Sequence, residues 1–286
     1  MSSAAIRERM QVMRHVVLGN PLNVFAFGLF LLILLVAVLA PSLVPHDPLK
    51  TNPAHALQGP SAMFWFGTDQ LGRDIFSRVM VATRLDLMIA FGAVFLSCVV
   101  GSLVGAMIGY WGGFWDGTVS RMVDVLMAFP LFVLAMAMVA ALGNTVANVV
   151  YATAVVNLPF YIRLARNEMR VRRGLGYVEA ARVGGSGDWR ILTRFLLPNM
   201  AAPLVIQASV NLGWAVLNAA GLSFLGLGVR APTPEWGIMV AEGARFIASG
   251  QWWVALFPGL ALMITVFAFN LMGDALRDIL DPRMRT

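Results

Sequence analysis

Lysine is almost missing from this chain of 286 residues: Lys50 is the only one. It follows no glycine-rich turn, so the Gly-x-x-x-x-Gly-Lys-Ser/Thr loop that cradles nucleotide phosphates is excluded. Cysteine is just as scarce. Cys98 stands alone within an apolar run, which rules out an intrachain disulfide and any Cys-x-x-Cys pair. Neither Gly-x-Ser-x-Gly nor His-Glu-x-x-His occurs. His46 and His55 have no partner pattern for a metal and read as loop histidines. Enzymatic chemistry therefore has no constellation to rest on. No chain of acidic residues and histidines lies within an apolar stretch, and no inverted repeat is visible, which argues against an ion-driven solute carrier. Any energy source has to come from a partner.

Apolar sequence is what the chain has in abundance. Hydrophobic residues make up 59% and charged residues only 13%, against about 25% charged in ordinary soluble domains. Mean hydropathy is +0.75, and several apolar runs exceed the roughly 18 residues that mark a membrane helix. These runs do not alternate as barrel strands do. The expected fold class is an all-α integral membrane protein with six transmembrane helices. With both termini placed inside, 15 of the 21 basic residues fall on the inner side. Only Lys50, Arg73, Arg78, Arg84, Arg230 and Arg245 fall outside, which is the positive-inside bias. Topology accounts for the net charge of +6, and a nucleic-acid partner is unnecessary.

Residues 1–20 are expected to be a cytoplasmic N-terminal segment and residues 21–45 the first span. Its core, Val24–Ala40, exceeds the about 7–15 apolar residues of a signal peptide and lacks a small-residue cleavage site, so it is retained. Residues 46–84 are assigned to the periplasmic side, with Asp74–Arg84 as a helix along the membrane surface. Residues 85–275 hold the other five spans. Span two is Leu87–Trp115, where Gly101, Gly105 and Gly109 share one face for close helix packing. Gly112-Gly113 and Asp116-Gly117 make the tight turn that follows. Arg121 and Asp124 are expected to pair across one helical turn.

The charge-free run Val125–Ile162 is too long for one span. Gly143-Asn144-Thr145 divides it into span three (120–142) and span four (147–168), with Pro130 and Pro159 as kink sites. Arg163, Arg166, Arg170, Arg172 and Arg173 lead out of it. Span five, 201–221, is the most polar. Its Gln207, Asn211 and Asn218, with Asn157 of span four, are candidates for a translocation path; interhelical hydrogen bonding is an equally supported reading. Trp252 and Trp253 mark an interfacial belt before span six (253–273), which has Pro258 as a kink site. Residues 276–286 form a cytoplasmic tail with a short helix ending at Pro282.

Between spans four and five lies a coupling loop, 169–199. Glu179-Ala180-Ala181 favours helix, Gly184-Gly185-Ser186-Gly187 stops it, and Asp188 is placed to cap the next turn. A helix–turn–helix held out between two spans suits docking of another protein.

These residues also carry a family resemblance. Glu179-Ala180-Ala181, three residues, then Gly185, with Leu197-Pro198-Asn199 downstream, resembles the EAA loop of ABC-importer permeases. Phe66–Arg78, Gly221–Gly228, Pro232-Thr233-Pro234-Glu235-Trp236-Gly237 and Asn270–Arg283 are similar to the second, C-type, permease of dipeptide, oligopeptide and nickel importers. Phe195 departs from that pattern, standing where peptide-type relatives often have histidine. The resemblance implies a type I importer permease of MetI-like architecture in the bacterial inner membrane. It implies a subunit that is no enzyme and binds no cofactor, with ATP and Mg held by two separate ABC ATPase subunits. A homologous second permease and a periplasmic or extracellular substrate-binding protein would complete the complex. Coupling to the ATPases would run through Glu179, Ala180, Ala181, Arg182, Gly185 and Ser186. The implied cargo is a di- or oligopeptide or peptide-like solute, and Leu158–Arg166 is most similar to D-alanyl-dipeptide relatives. A nickel or metal-chelate importer is the alternative within the family, and an independent secondary transporter the alternative outside it.

Overall fold

Where apolar runs are long, helices are long, because a backbone in lipid has to satisfy its own hydrogen bonds. The structure, a computed structural model, describes residues 20–280. Its principal helices are α1 (Pro21–Leu43), α2 (Ile75–Trp111), α3 (Gly113–Ala128), α4 (Leu131–Leu142), α5 (Val146–Arg172), α6 (Gly176–Val183), α7 (Ala201–Phe224), α8 (Trp236–Ala244) and α9 (Trp253–Leu280). No β-strand occurs among the described residues; Thr68 and Asp74 form an isolated bridge. Residues 1–19 and the tail residues Pro282 and Arg283 lie outside the described residues.

Four helices, α1, α2, α7 and α9, are long and apolar enough to cross a membrane, and α3 with α4 forms a fifth candidate bent by 91°. At 27 residues, α5 is about 40 Å long at 1.5 Å per residue and occupies the remaining expected position. Asn148, Asn157 and its arginine-rich end make it more polar than the others. The all-α architecture expected from the sequence is present in this form.

Three local expectations are corrected. Asp74–Arg84 is no separate surface helix but the cap and first turns of α2, which runs unbroken for 37 residues. Asp74 caps it by accepting from the Ser77 amide at 3.0 Å, and no Gly or Pro interrupts the ladder before Leu87. Asp116-Gly117 is no turn, because helix resumes at Gly113. Gly112 and Gly113, with φ of 69° and 67°, make the turn between them, in backbone that favours glycine. Span three is a broken pair. Pro130 sterically expels the preceding residue from helical geometry, and Phe129 is extended at φ −82°, ψ 145°. By contrast α5 and α9 run on through Pro159 and Pro258.

The most extensive interface joins α2 to α5. A Cβ on Gly105 would come within 2.3 Å of the Ile162 carbonyl oxygen, and one on Gly109 within 2.6 Å of that of Arg166. Backbones this close require glycine, as the spacing implied. On α7, α8 and α9, Ala215, Trp236 and Phe269 share a core with Ala82 and Ala90 of α2. Val139, Val149, Val156 and Leu222 join α4, α5 and α7 in a second.

Candidate functional site

The coupling loop is built on a helix stop. At the end of α6 the Gly185 amide donates to the Arg182 carbonyl at 3.1 Å and the Ser186 amide to that of Ala181 at 3.0 Å, a Schellman motif. Gly185 has φ 79°, and a Cβ there would meet nothing within 4 Å. Its backbone angle, with no crowding, calls for glycine. The chain continues through Asp188–Arg190, a π-helical Ile191–Leu196 and Leu197–Asn199 into α7. Asp188 does not cap this stretch; Gly187 stands at the cap. The Asp188 carboxylate instead accepts from the Tyr110 hydroxyl at 2.5 Å.

That tyrosine fastens the loop to α2. Arg182 Nη2 donates to the same phenolic oxygen at 3.3 Å, and Arg173 Nη1 donates to the carbonyls of Gly109 at 3.2 Å and Tyr110 at 2.8 Å. Beneath, Val178, Ile191, Leu192 and Leu196 are buried with Ala106, Ala165 and Met169. The outward face is different. Glu179, Ala180, Arg182 and Gly185 are exposed, Ala181 and Ser186 half-buried, and the apolar Val183 and Trp189 stand 90% and 65% exposed.

The arginines leading into the loop form no free positive patch. Arg163 Nη2 donates to Asp124 Oδ1 at 2.5 Å, so Asp124 pairs across helices rather than with Arg121. Arg166 and Arg170 both hold Asp116, and Arg172 holds Glu168. Because α3 folds back against α5 after the Gly112-Gly113 turn, its carboxylates reach these partners before a neighbour on their own helix does.

The four polar residues assigned to a path separate into two pairs. Asn157 Nδ2 donates to the Thr153 carbonyl at 3.0 Å, and Asn218 Nδ2 to the Thr153 hydroxyl at 3.2 Å, which links α5 to α7. On α7 itself, Gln207 Nε2 donates to Asn211 Oδ1 at 2.9 Å. Asn157, Asn211 and Asn218 are buried within this chain and Gln207 is half-buried. None of the four touches the coupling loop.

At the end of α2 away from the loop, charge is taken inside. Arg73 Nε donates to Asp69 Oδ2 at 2.6 Å and Arg73 Nη2 to Glu242 Oε2 at 3.3 Å. Arg78 Nη1 donates to the carbonyls of Pro48 and Pro232, and its Nε lies 3.6 Å from Asp69. Asp69, Arg73, Asp74 and Arg78 are all buried. His46 and His55 flank the Phe64 ring. No group of three or more His, Cys, Asp or Glu suited to a metal occurs among the described residues.

One pair escaped the sequence reading and corrects it. Asp86 of α2 and Glu235, 2% and 0% exposed, bring their carboxyl groups together at the start of α8. Glu235 caps α8, accepting from the amides of Gly237 at 2.9 Å and Ile238 at 2.8 Å. Asp86 Oδ2 accepts from the Trp236 amide at 3.1 Å, and the Trp236 indole donates to the Val79 carbonyl at 3.0 Å. Burial pushes the Glu235 carboxyl up, against the pull of its two amide donors. A glutamate between Pro234 and an apolar helix is a readable capping signal; nothing local marks Asp86 as its partner. Ser223 and Ile238, beside this pair, border a hollow of about 570 Å³ with Gln70, Glu242 and Arg245.

Comparison with known proteins gives the family and the fold. Residues 101–286 match the family described as binding-protein-dependent transport system inner membrane component, and residues 9–60 match the N-terminal TM domain of oligopeptide transport permease C. The chain is 42% identical over 265 residues to the probable D,D-dipeptide transport system permease protein DdpC of Escherichia coli (strain K12), covering 93% of this chain and 89% of that one. It is 43% identical over 267 residues to the dipeptide transport system permease protein DppC of Alkalihalophilus pseudofirmus, at 93% and 88% coverage. The glutathione transport system permease protein GsiD of Pectobacterium atrosepticum is 43% identical over 263 residues, at 91% and 87%. Among solved structures, an inward-facing MetNI methionine ABC transporter chain superposes with a TM-score of 0.59 at 21% identity, over 71% of this chain and 97% of that one. That likeness establishes the shared fold.

Proposed function

The chain belongs to the binding-protein-dependent transport system inner membrane components, and on that premise we propose that it is the C-type permease of an ATP-driven importer for dipeptides or related peptide-like solutes. The substrate class rests on relatives at 42–43% identity whose names specify D,D-dipeptides, dipeptides and glutathione, all built around peptide bonds. The chain forms one side of the path, and a homologous permease the other. Two separate ABC ATPase subunits bind and hydrolyse ATP with Mg; the single lysine of this chain, Lys50, stands in no P-loop. A substrate-binding protein delivers the solute from the periplasmic side. The coupling loop faces the cytoplasm, as the positive-inside bias requires.

One observation carries the coupling role. The loop is bolted to α2 and α5 through Tyr110, Arg173 and a buried apolar base, yet turns Glu179, Val183 and Trp189 outward. A rigid element with an uncovered apolar face is what a partner subunit needs in order to push on the spans. Within the path, Gln207 is the foremost solute contact, because it alone of the four polar candidates is not fully buried in this chain. Asn218 holds α7 to α5 through the Thr153 hydroxyl, and Asn157 bonds the Thr153 carbonyl within its own helix.

The test is a pair of variants, Gly185→Pro and Glu179→Arg, in the assembled importer. Proline cannot adopt the positive φ of Gly185, and arginine reverses the charge of the docking face. Both variants are expected to reach the membrane, to lose peptide uptake and to co-purify with less ATPase. Normal uptake by both would show that coupling runs elsewhere. A wild-type chain that purifies with no ATPase at all would remove the importer reading altogether.

A further inference from the structure

The contact between Asp86 and Glu235 requires a hydrogen that two carboxylates cannot supply. Both Glu235 oxygens already accept backbone amides, Oε1 from Gly237 and Oε2 from Ile238. Asp86 Oδ2 accepts the Trp236 amide. The two buried carboxyl groups face each other, and two carboxylates have no donor between them. A proton must sit there. Both Glu235 oxygens accept amides and only one Asp86 oxygen does, which favours Asp86 as the donor to Glu235.

We propose that Asp86 is held as the neutral acid and donates to the Glu235 carboxylate, a proton-containing clasp that pins the start of α8 to α2. Asp86 is thus a positioning residue in transport. The clasp fixes Trp236, whose indole reaches the Val79 carbonyl on α2. It also fixes Ile238 and Ser223 in the wall of the hollow shared with Gln70, Glu242 and Arg245. This reading rests on the importer assignment for its functional consequence, though not for its chemistry.

The surroundings leave the proton as the only mediator. The groups acting on the pair are each other, Ser223 of α7 and the amides that open α8. Arg73 and Arg78 are engaged by Asp69, Glu242 and backbone carbonyls, and neither they nor Arg245, which borders the same hollow, pair with either carboxyl. Removing the proton therefore sets two buried negative charges against each other with no cation between them, and the clasp opens. The sign follows: function declines toward alkaline pH and is insensitive toward acid.

Asparagine is the isostere of a neutral aspartic acid, with one amide face to donate and one oxygen to accept. The assembled importer, with its binding protein, would be reconstituted in liposomes and uptake of radiolabelled alanyl-alanine followed from neutral to alkaline pH. Asp86→Asn should retain wild-type uptake at neutral pH and lose the alkaline decline. Asp86→Ala should lower uptake about tenfold at every pH, because it strands the Trp236 amide and leaves Glu235 without its donor. On the purified complex, the infrared difference between wild type and Asp86→Asn should contain the carbonyl band of a protonated carboxylic acid. Absence of that band overturns the proposal. So does an Asp86→Asn variant that fails to assemble, that matches Asp86→Ala, or that keeps the alkaline decline. The band requires no transported solute, so its presence alongside absent peptide uptake would refute the peptide reading alone.

Discussion

The two ends of α2 handle charge in opposite ways. At the coupling-loop end, Glu179 and Arg182 are exposed beside the uncovered Val183 and Trp189. At the other end, Asp69, Arg73, Arg78, Asp86 and Glu235 are buried and satisfy one another or backbone groups. Buried pairs are costly to assemble and costlier to break, whereas exposed ones contribute little to stability. One end is therefore organised to hold its shape alone, and the other leaves charged and apolar side chains uncovered. The glycine seam of α2 against α5 joins the two.

This contrast can be broken first at the buried end. Arg73→Ala leaves Glu242 without its cation and Asp69 with only the longer contact to Arg78, and is expected to cost about 3–5 kcal/mol, read as a large drop in the melting temperature of the purified complex. A drop no larger than that of a surface variant would show that the cluster is hydrated and only apparently buried. Next comes the seam. Gly105→Ala places a methyl group within 2.3 Å of the Ile162 carbonyl oxygen and should destabilise by about 1–3 kcal/mol, with uptake falling as the helices separate. Unchanged stability would mean the two helices slide freely past each other.

At the loop end the effects turn from stability to coupling. Tyr110→Phe deletes the hydroxyl shared by Asp188 and Arg182, a loss of about 1 kcal/mol. It should leave ATPase binding intact while lowering the peptide imported per ATP hydrolysed. Equal losses of binding and import would place Tyr110 in the docking face instead of behind it. Trp189→Ser should change stability by less than about 0.5 kcal/mol yet reduce retention of the ATPase subunits in a pull-down. Undiminished retention would remove Trp189 from the interface.

Much of this was legible before any tertiary contact was known. The Gly184–Gly187 break reads as a helix stop, and Gly185 supplies the left-handed turn there. The spacing of Gly101, Gly105 and Gly109 announces a close helix pair. Other features were legible only in part. Pro130 was readable as a kink, but the 91° turn between α3 and α4 depends on what each half packs against. Asp124 had Arg121 one turn away and paired with Arg163 instead. The polar residues of α7 and α5 were visible as a set, yet only the fold shows that Asn157 and Asn218 converge on Thr153 while Gln207 and Asn211 pair on a single helix.

The sequence by itself determined the membrane class, the existence of the long apolar helices and the helix stop at Gly184–Gly187. Those properties follow from local composition, from runs long enough to span a bilayer and from glycine's tolerance of positive φ. Tertiary structure alone decided which charges meet. Asp86 finds Glu235, and Arg73 finds Glu242, across more than half the length of the chain. Such pairings leave no trace in periodicity. They exist because burial makes an unpartnered charge too costly to keep, and the fold brings to each the partner that removes the cost.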